Sequence, residues 1–262
     1  HFSMKIATWN VNSLNVRLDH VIDWIIAHNP DVLCLQETKQ TNEKFSHEAF
    51  KAIGYKSYHN GQRTYNGVAL ISNKGLLDVG NDLPGFDDPQ KRIIHGAYPS
   101  EELGPIRVVS AYVPNGQVVG SEKFKYKLSW LRKFNHWVKK LNSDNKHVIL
   151  TGDFNIAPCD IDCHDPEGWL GSILVSPDER DLFNDVIDCG FIDSFRFLNR
   201  DLQKFSWWDY RMAGFRRNLG MRIDHILISE SLKGNLSTAY IDEDPRKLER
   251  PSDHTPVISE FR

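Results

Sequence analysis

Thr8-Trp9-Asn10-Val11-Asn12 closes an apolar run of strand length that starts at residue 5, and Thr151-Gly152-Asp153-Phe154-Asn155 closes a second that starts at residue 147. Each run has the composition of a buried strand, and each ends in carboxamide or carboxylate side chains. Two strand ends aiming such groups at one place are what two packed sheets produce at a shared rim. Further runs of strand length span residues 31–36, 67–72, 106–113, 224–229 and 255–261. Between them the apolar period changes to that of a helix. Leu14, Leu18, Val21, Ile22, Ile25 and Ile26 form one predicted face, and Phe124, Leu128, Leu131, Phe134, Val138 and Leu141 form another. A third helix is announced by Ser176-Pro177-Asp178-Glu179, with an N-cap, a first-turn proline and acidic residues on the positive end of the dipole. Strands followed by helices imply a layered α/β fold, and strands that follow one another directly make its sheets mixed. No linker rich in Pro, Gly or Ser divides the chain, so residues 4–262 read as a single domain.

The 262 residues carry 32 Lys and Arg against 35 Asp and Glu, a net charge of −3, with 40% hydrophobic and 26% charged residues. This composition excludes disordered, collagen-like and disulfide-scaffold classes. No stretch approaches the ~18 consecutive apolar residues of a membrane span, so no membrane partner is expected. His1, Phe2 and Ser3 ahead of Met4 read as a cloning remnant, and no signal-peptide pattern follows. Four cysteines without such a signal point to a reducing, cytoplasmic compartment. Cys34 falls inside an apolar run and reads as a small core residue. Cys159, Cys163 and His164 have metal-like spacing but no second Cys/His pair to complete a tetrahedral site.

Polar residues recur where strands end: Asn10 and Asn12, Gln36 and Glu37, Tyr112 and Asn115, Asp153 and Asn155, Asp224 and His225, Asp253 and His254. Singly, each suits a turn or a cap. As a set they occupy the edge where α/β folds place their sites. Glu37, Asp153, Asp224 and Asp253 supply hard oxygen ligands and bases, and Asn10 and Asn155 supply neutral ones. No nucleophile elbow, Walker motif or dinucleotide glycine pattern is present. Oxygen-only ligation suits Mg²⁺, with Mn²⁺ as a substitute, and a cation of this kind polarises a phosphoryl oxygen. The residue set therefore points to metal-assisted phosphodiester hydrolysis.

Six motifs in order, Trp9-Asn10-Val11-Asn12, Leu35-Gln36-Glu37-Thr38-Lys39, Tyr65-Asn66-Gly67-Val68-Ala69, Gly152-Asp153-Phe154-Asn155-Ile156-Ala157-Pro158, Arg222-Ile223-Asp224-His225-Ile226-Leu227 and Ser252-Asp253-His254-Thr255-Pro256-Val257, resemble the exodeoxyribonuclease III family of the endonuclease/exonuclease/phosphatase superfamily. The segments 205–211 and 123–127 narrow the resemblance to that branch. It implies a four-layer sandwich of two packed β-sheets between helical layers. It implies that Glu37, assisted by Asn10, ligates the metal, with Asp253 as a second carboxylate near it. Asp153 would activate the attacking water, with Asn155 positioning it. Tyr112 and His254 would contact the scissile phosphate, and Asp224 would orient His254. The motifs admit one ion or two, and leave the identity of the general base open.

Charge placement suggests how the substrate is held. Residues 122–140 carry seven Lys and Arg against Glu122, a net +6; residues 204–222 carry five against Asp209, a net +4; residues 178–193 run to −5. For Arg132, Lys133, Lys139 and Lys140 a solvated helix face is the expectation, whereas Lys123, Lys125 and Lys127 are candidates for phosphate contact. In the second segment Trp207, Trp208, Tyr210, Met212 and Phe215 interleave Arg211, Arg216, Arg217 and Arg222, a pattern in which basic residues hold phosphates and apolar ones wedge or stack. Phe205 and one tryptophan are expected in the core. The resulting expectation is a monomeric enzyme of base excision repair that acts on double-stranded DNA as a 3′→5′ exonuclease and 3′-phosphatase. Abasic-site cleavage is left open, because Leu170 and Leu174 could fill the space a deoxyribose needs. The rival readings are a phospholipid or inositol phosphatase of the same superfamily, which would not need the Trp-rich basic loop, and a catalytically silent nucleic-acid-binding regulator.

Overall fold

The computed structural model describes residues 2–262 and consists of two mixed six-stranded sheets packed face to face between helices. The first sheet has the order β13 (Leu236–Ile241), β14 (Val257–Phe261), β1 (Met4–Asn10), β2 (Val32–Gln36), β4 (Val68–Ser72), β3 (Lys56–Asn60). The second has the order β5 (Leu77–Asn81), β6 (Ile93–Ser100), β7 (Gly104–Tyr112), β8 (His147–Asp153), β12 (Asp224–Ser229), β9 (Phe191–Asp193). Two-residue strands β10 (Trp207–Trp208) and β11 (Gly220–Met221) pair beside them. Each large sheet holds one parallel pair joined through a long helix. Helix α1 (Leu14–His28) connects β1 to β2, and α3 (Glu122–Asp144) connects β7 to β8. The short α2 (His47–Lys51) lies between them in sequence, and α4 (Pro166–Trp169), α5 (Pro177–Asp188) and α6 (Ser194–Leu198) follow β8.

Three apolar layers hold this stack. Ile6, Cys34 and Leu70 of the first sheet meet Ile106, Ile149 and Ile226 of the second between the sheets. Outside the first sheet, Leu33 and Ile71 pack on Val21, Trp24 and Ile25 of α1 and Phe50 of α2. Outside the second, Val109 and Leu150 pack on Leu131, Phe134 and Val138 of α3 and Phe183 of α5. A strand covered on both faces must be apolar nearly throughout, so β2, β4, β8 and β12 are buried at every position and read clearly in the sequence. The edge strands β3, β5 and β13 keep one side toward water, and their mixed composition hid them.

The expected helices form. Ser121 caps α3 by accepting from the Phe124 N–H, and Ser176 and Glu179 complete a capping box at α5. In α1 the apolar stripe is corrected at one end. Ile26 is 59% exposed, and Trp24, whose indole N–H donates to Asp242 at 2.9 Å, takes the core position instead.

Two histidines are packed where burial outweighs any neighbouring acid. His59 stacks on Phe45 at 4.2 Å between ring centres, and burial together with His47 pushes it down to about 3. His95 lies edge-on to Trp137, and burial together with Arg107 pushes it down to about 4. Both rings stay neutral in the folded chain but take a proton near pH 6.5 once unfolded, so their contribution is complete above 6.5 and is lost as pH falls below it. The urea midpoint is expected to fall steadily between pH 6.5 and 4, and less steeply in His59→Gln. A profile unaltered by that substitution would place the acid sensitivity elsewhere.

Candidate active site

The parallel strands β1 and β2 end at the same rim as β7 and β8, and the antiparallel β12 begins there. Register then does the gathering: Asn10 pairs with Gln36 just before Glu37, Tyr112 pairs with Asp153, and Asp153 pairs with Asp224. The turn ahead of β14 brings His254 across, fixed by the Ser252 hydroxyl donating to the Asn10 carbonyl at 2.6 Å and by the Trp9 indole N–H donating to the His254 carbonyl at 3.3 Å. Strand β8 can approach β7 this closely because Gly152 has φ +145°, and a Cβ there would lie 1.9 Å from the Ala111 carbonyl oxygen.

At the centre, His254 Nδ1 donates to Asp224 Oδ2 at 2.8 Å, and His254 Nε2 lies 3.5 Å from Asp153 Oδ2. The Ser206 hydroxyl donates to the same Asp224 oxygen at 2.7 Å. The Asn10 amide donates to Asp153 Oδ2 and to Glu37 Oε1, both at 2.9 Å, and the Tyr112 hydroxyl donates to Glu37 Oε1 at 2.8 Å. Asp153 Oδ1 accepts from the Asn155 backbone N–H at 2.9 Å, and the Asn155 side chain joins Val113 O and Asn115. Glu37 and Asn155 both have left-handed backbone, φ 52° and 50°, a conformation that costs an L-residue about 1–2 kcal/mol and that clusters at functional sites.

The electrostatics follow from burial. Water exclusion alone would lower the His254 imidazolium, but Asp224 and Asp153 outweigh it and push it up to about 10. Burial pushes Asp153 up to about 7 despite the His254 charge. Tyr112 is raised well above its ordinary value by burial and by Glu37, so it remains a phenol donor. Arg92 lies 4.9 Å from the Tyr112 ring centre and donates to its carbonyl oxygen at 3.0 Å, fixing the ring.

This donor set can hold a metal ion. Asp153, Asp224 and His254 offer ligand atoms within 4.8 Å of one another, and Asp224 Oδ1 is buried with no hydrogen-bond partner among the described residues. Both imidazole nitrogens face carboxylates, so carboxylate oxygens are the free donors, which suits a hard cation. Glu37 adjoins this group through Asn10. Asp253 is tied to the rim by the Trp207 indole N–H at 3.2 Å.

The substrate-holding expectations divide. Arg211, Arg216, Arg217 and Met212 are exposed, Met212 at 76% with φ 58°, and Trp207 is half-buried beside the rim, while Phe205 and Trp208 are core. Arg211 pairs with Asp209 at 2.7 Å. Lys123 lines a cleft of about 440 Å³ with Tyr65, Asn66, Arg92, Tyr112 and Asn115. Two cations are corrected. Lys127 is wholly buried against Glu179 and cannot meet a phosphate, and Arg222 is buried between Asp162 and Asp193 at 2.7 Å from each. A lysine three residues from Phe124 on an apolar stripe was the available signal for the first. Leu174 packs into a small core with Ala157, Cys163 and Met221, whereas Leu170 is 84% exposed. Cys34 and Cys163 are buried, and among the described residues no cysteine joins a metal-holding group.

Removing one partner of a buried ion pair strands the other charge, so Arg222→Met is expected to destabilise the chain by about 3–5 kcal/mol in urea unfolding. A loss below about 1 kcal/mol, typical of surface pairs, would contradict this assignment.

A model of the endonuclease/exonuclease/phosphatase family matches residues 7–254. Exodeoxyribonuclease III of Haemophilus influenzae is 36% identical over 269 residues, spanning 99% of this chain and 100% of its own length. A 3′ phosphatase from Neisseria bound to a product DNA hairpin shares the fold at a TM-score of 0.95 with 44% identity, covering 99% of each chain. An AP endonuclease from Archaeoglobus fulgidus follows at a TM-score of 0.93 with 36% identity, covering 98% of this chain and 99% of its own. With the fold and nearly the whole length in common, this chain belongs to the endonuclease/exonuclease/phosphatase family as a full-length relative of exodeoxyribonuclease III.

Proposed function

We propose that this chain is a Mg²⁺-dependent DNA-repair nuclease that hydrolyses phosphodiester and phosphomonoester bonds at the 3′ ends of double-stranded DNA. The observation that carries the reading is the buried Asp224–His254–Asp153 row at 2.8 and 3.5 Å. It places a positive donor beside a carboxylate at the rim of a sandwich whose relatives include a 3′ phosphatase bound to DNA.

Glu37 with Asn10 on one side and Asp153 on the other would hold the cation, which when bound neutralises charge developing on the phosphoryl and leaving oxygens. His254, held by Asp224 and charged at neutral pH, donates to a phosphate oxygen. The Tyr112 hydroxyl lies beside the same space and serves as a second donor. Asp153 accepts the proton of the attacking water, and Asn155, anchored at Val113 O, orients that water. Arg211, Arg216, Arg217 and Lys123 hold backbone phosphates, while Trp207 and the exposed Met212 press on the end of the duplex. Incision at abasic sites is a second activity of the same rim, favoured by the full-length kinship with an AP endonuclease.

The test uses 3′-recessed, 3′-phosphate-ended and abasic duplexes with Mg²⁺ or EDTA. The wild type is expected to act on the first two only with Mg²⁺, and Asp153→Asn to lose about 10²–10⁴-fold in rate, the range for a general base. Cleavage that persists in EDTA, or an Asp153→Asn variant of wild-type rate, would overturn the proposal.

Charge reversal at Arg216 and Arg217 is expected to weaken duplex binding equally for unrelated sequences. It should also flatten the salt dependence by about one unit of log–log slope for each phosphate no longer neutralised. An unaltered slope would remove this loop from the interface.

A further inference from the structure

Lys127 lies on the core-facing side of α3 with no exposure, and its ammonium donates to the Asn115 carbonyl at 3.1 Å, to the Asn155 carbonyl at 2.7 Å and to Glu179 Oε1. All three N–H donors are used. Glu179 is also fully buried. Its Oε1 accepts from the Leu174 N–H at 3.0 Å, and its Oε2 accepts from the Ser176 hydroxyl at 2.6 Å and the Ser176 N–H at 3.2 Å. One ion pair thus grips the turn after β7, the turn after β8 and the start of α5. Room for the lysine stem is provided by Gly116, at φ +86°, where a Cβ would lie 3.0 Å from Lys127 Cδ and 3.1 Å from Ile173 Cδ1.

The two carbonyls that Lys127 holds belong to Asn115 and Asn155, whose side chains bond each other at 3.2 Å. Asn155 has left-handed backbone and gives its N–H to Asp153. A strained turn persists only where its surroundings over-determine it, and the ammonium is the group that fixes this carbonyl.

We infer that Lys127 and Glu179 are positioning residues for the hydrolysis, a buried ion pair that aims Asn155 and Asp153 at the phosphate and ties the loop at 168–176 to that aim. The inference rests on the nuclease reading above. It deepens that reading by adding a control point outside the rim. Through Glu179, a displacement of the Leu174–Ser176 segment is transmitted to the catalytic turn without either residue touching substrate.

The experiment compares wild type, the charge-free double variant Lys127→Met/Glu179→Gln, the milder Glu179→Gln and a matched control, Asn135→Ala. Asn135 joins the same two helices by donating to the Leu182 carbonyl at 3.0 Å, and it touches neither catalytic turn. Each is assayed for kcat and KM on a 3′-recessed duplex with Mg²⁺, and for amide hydrogen exchange at Asn155, Ala157 and Leu174. Loosened aim with substrate binding intact lowers kcat at constant KM, so the double variant is expected to lose about 100-fold in kcat with KM within about threefold. Exchange should rise at all three amides. Glu179→Gln, which remains informative if the double variant fails to fold, should lose about tenfold in kcat with KM likewise constant. The control should keep wild-type kcat and exchange. Wild-type kcat in a folded variant lacking the pair, or an equal fall in the control, would overturn the inference. Loosened amides in a chain whose wild type shows no nuclease activity would sink the nuclease reading while leaving the positioning contact standing.

Discussion

A carboxylate as completely enclosed as Asp153 costs several kcal/mol unless its charge is answered, and the architecture of this chain is arranged around that answer. Four neighbours supply it: the His254 ring, the Asn10 amide, the Asn155 N–H and the space for a cation beside Glu37. The Asn155 N–H is local to the turn, but Asn10, Glu37 and His254 come from distant segments and meet Asp153 because two sheets end at a common rim. The sandwich is therefore more than a support. Its interior excludes water, which strengthens every interaction of the row, and its strand ends are the places where polar groups can enter without disrupting an apolar layer.

The same rule of answered charge recurs behind the rim. Arg222 and Arg196 together neutralise Asp162 and Asp193, Arg222 overcoming burial to bring Asp193 down to about 2, while Lys127 neutralises Glu179. Both pairs lock loops that flank the catalytic strands. The acidic stretch 178–193 is consequently less acidic as a surface than as a sequence, because Glu179 and Asp193 are spent internally. The basic stretches likewise lose Lys127 and Arg222. Outside remain Lys123, which lines the cleft beside Tyr112, and the exposed Arg211, Arg216, Arg217 and Met212 of the loop that carries the half-buried Trp207, together with the solvated lysines of α3. A net charge of −3 is thus compatible with a DNA-cleaving enzyme, since an acidic centre must attract its cation.

Much of the fold is legible in the sequence. Strands covered on both faces are apolar end to end, and α3 repeats its core residues without a break, so β1, β2, β4, β7, β8, β12, β14 and the three main helices can be read directly. Of the strands that escape, most are short or lie at edges, where half the residues answer to water, while the inner strand β6 is masked by His95, Gly96 and Pro99, which break its apolar run. The resemblance supplied Asn10, Glu37, Tyr112, Asp153, Asn155, Asp224, Asp253 and His254 as a set, and the structure joins Tyr112, Glu37, Asn10 and Asp153 by hydrogen bonds, with the His254–Asp224 pair attached through a charge contact to Asp153. Ser206, Arg92 and Glu179 were not legible in their roles, since a serine, an arginine or a helix-capping glutamate looks the same whether it faces solvent or a buried acid.

The sequence by itself determined that two layers of strands end in oxygen-bearing side chains, because strand-length apolar runs closed by Asn, Asp or Glu are local facts. Tertiary structure alone decided which charges act outward and which are consumed within. Lys125 and Lys127 differ by two positions, and Arg217 and Arg222 by five, yet one of each pair is exposed and the other is shut in with an acid. Burial depends on what packs against a side chain from a distant part of the chain, and it is burial that turns a surface cation into an internal brace.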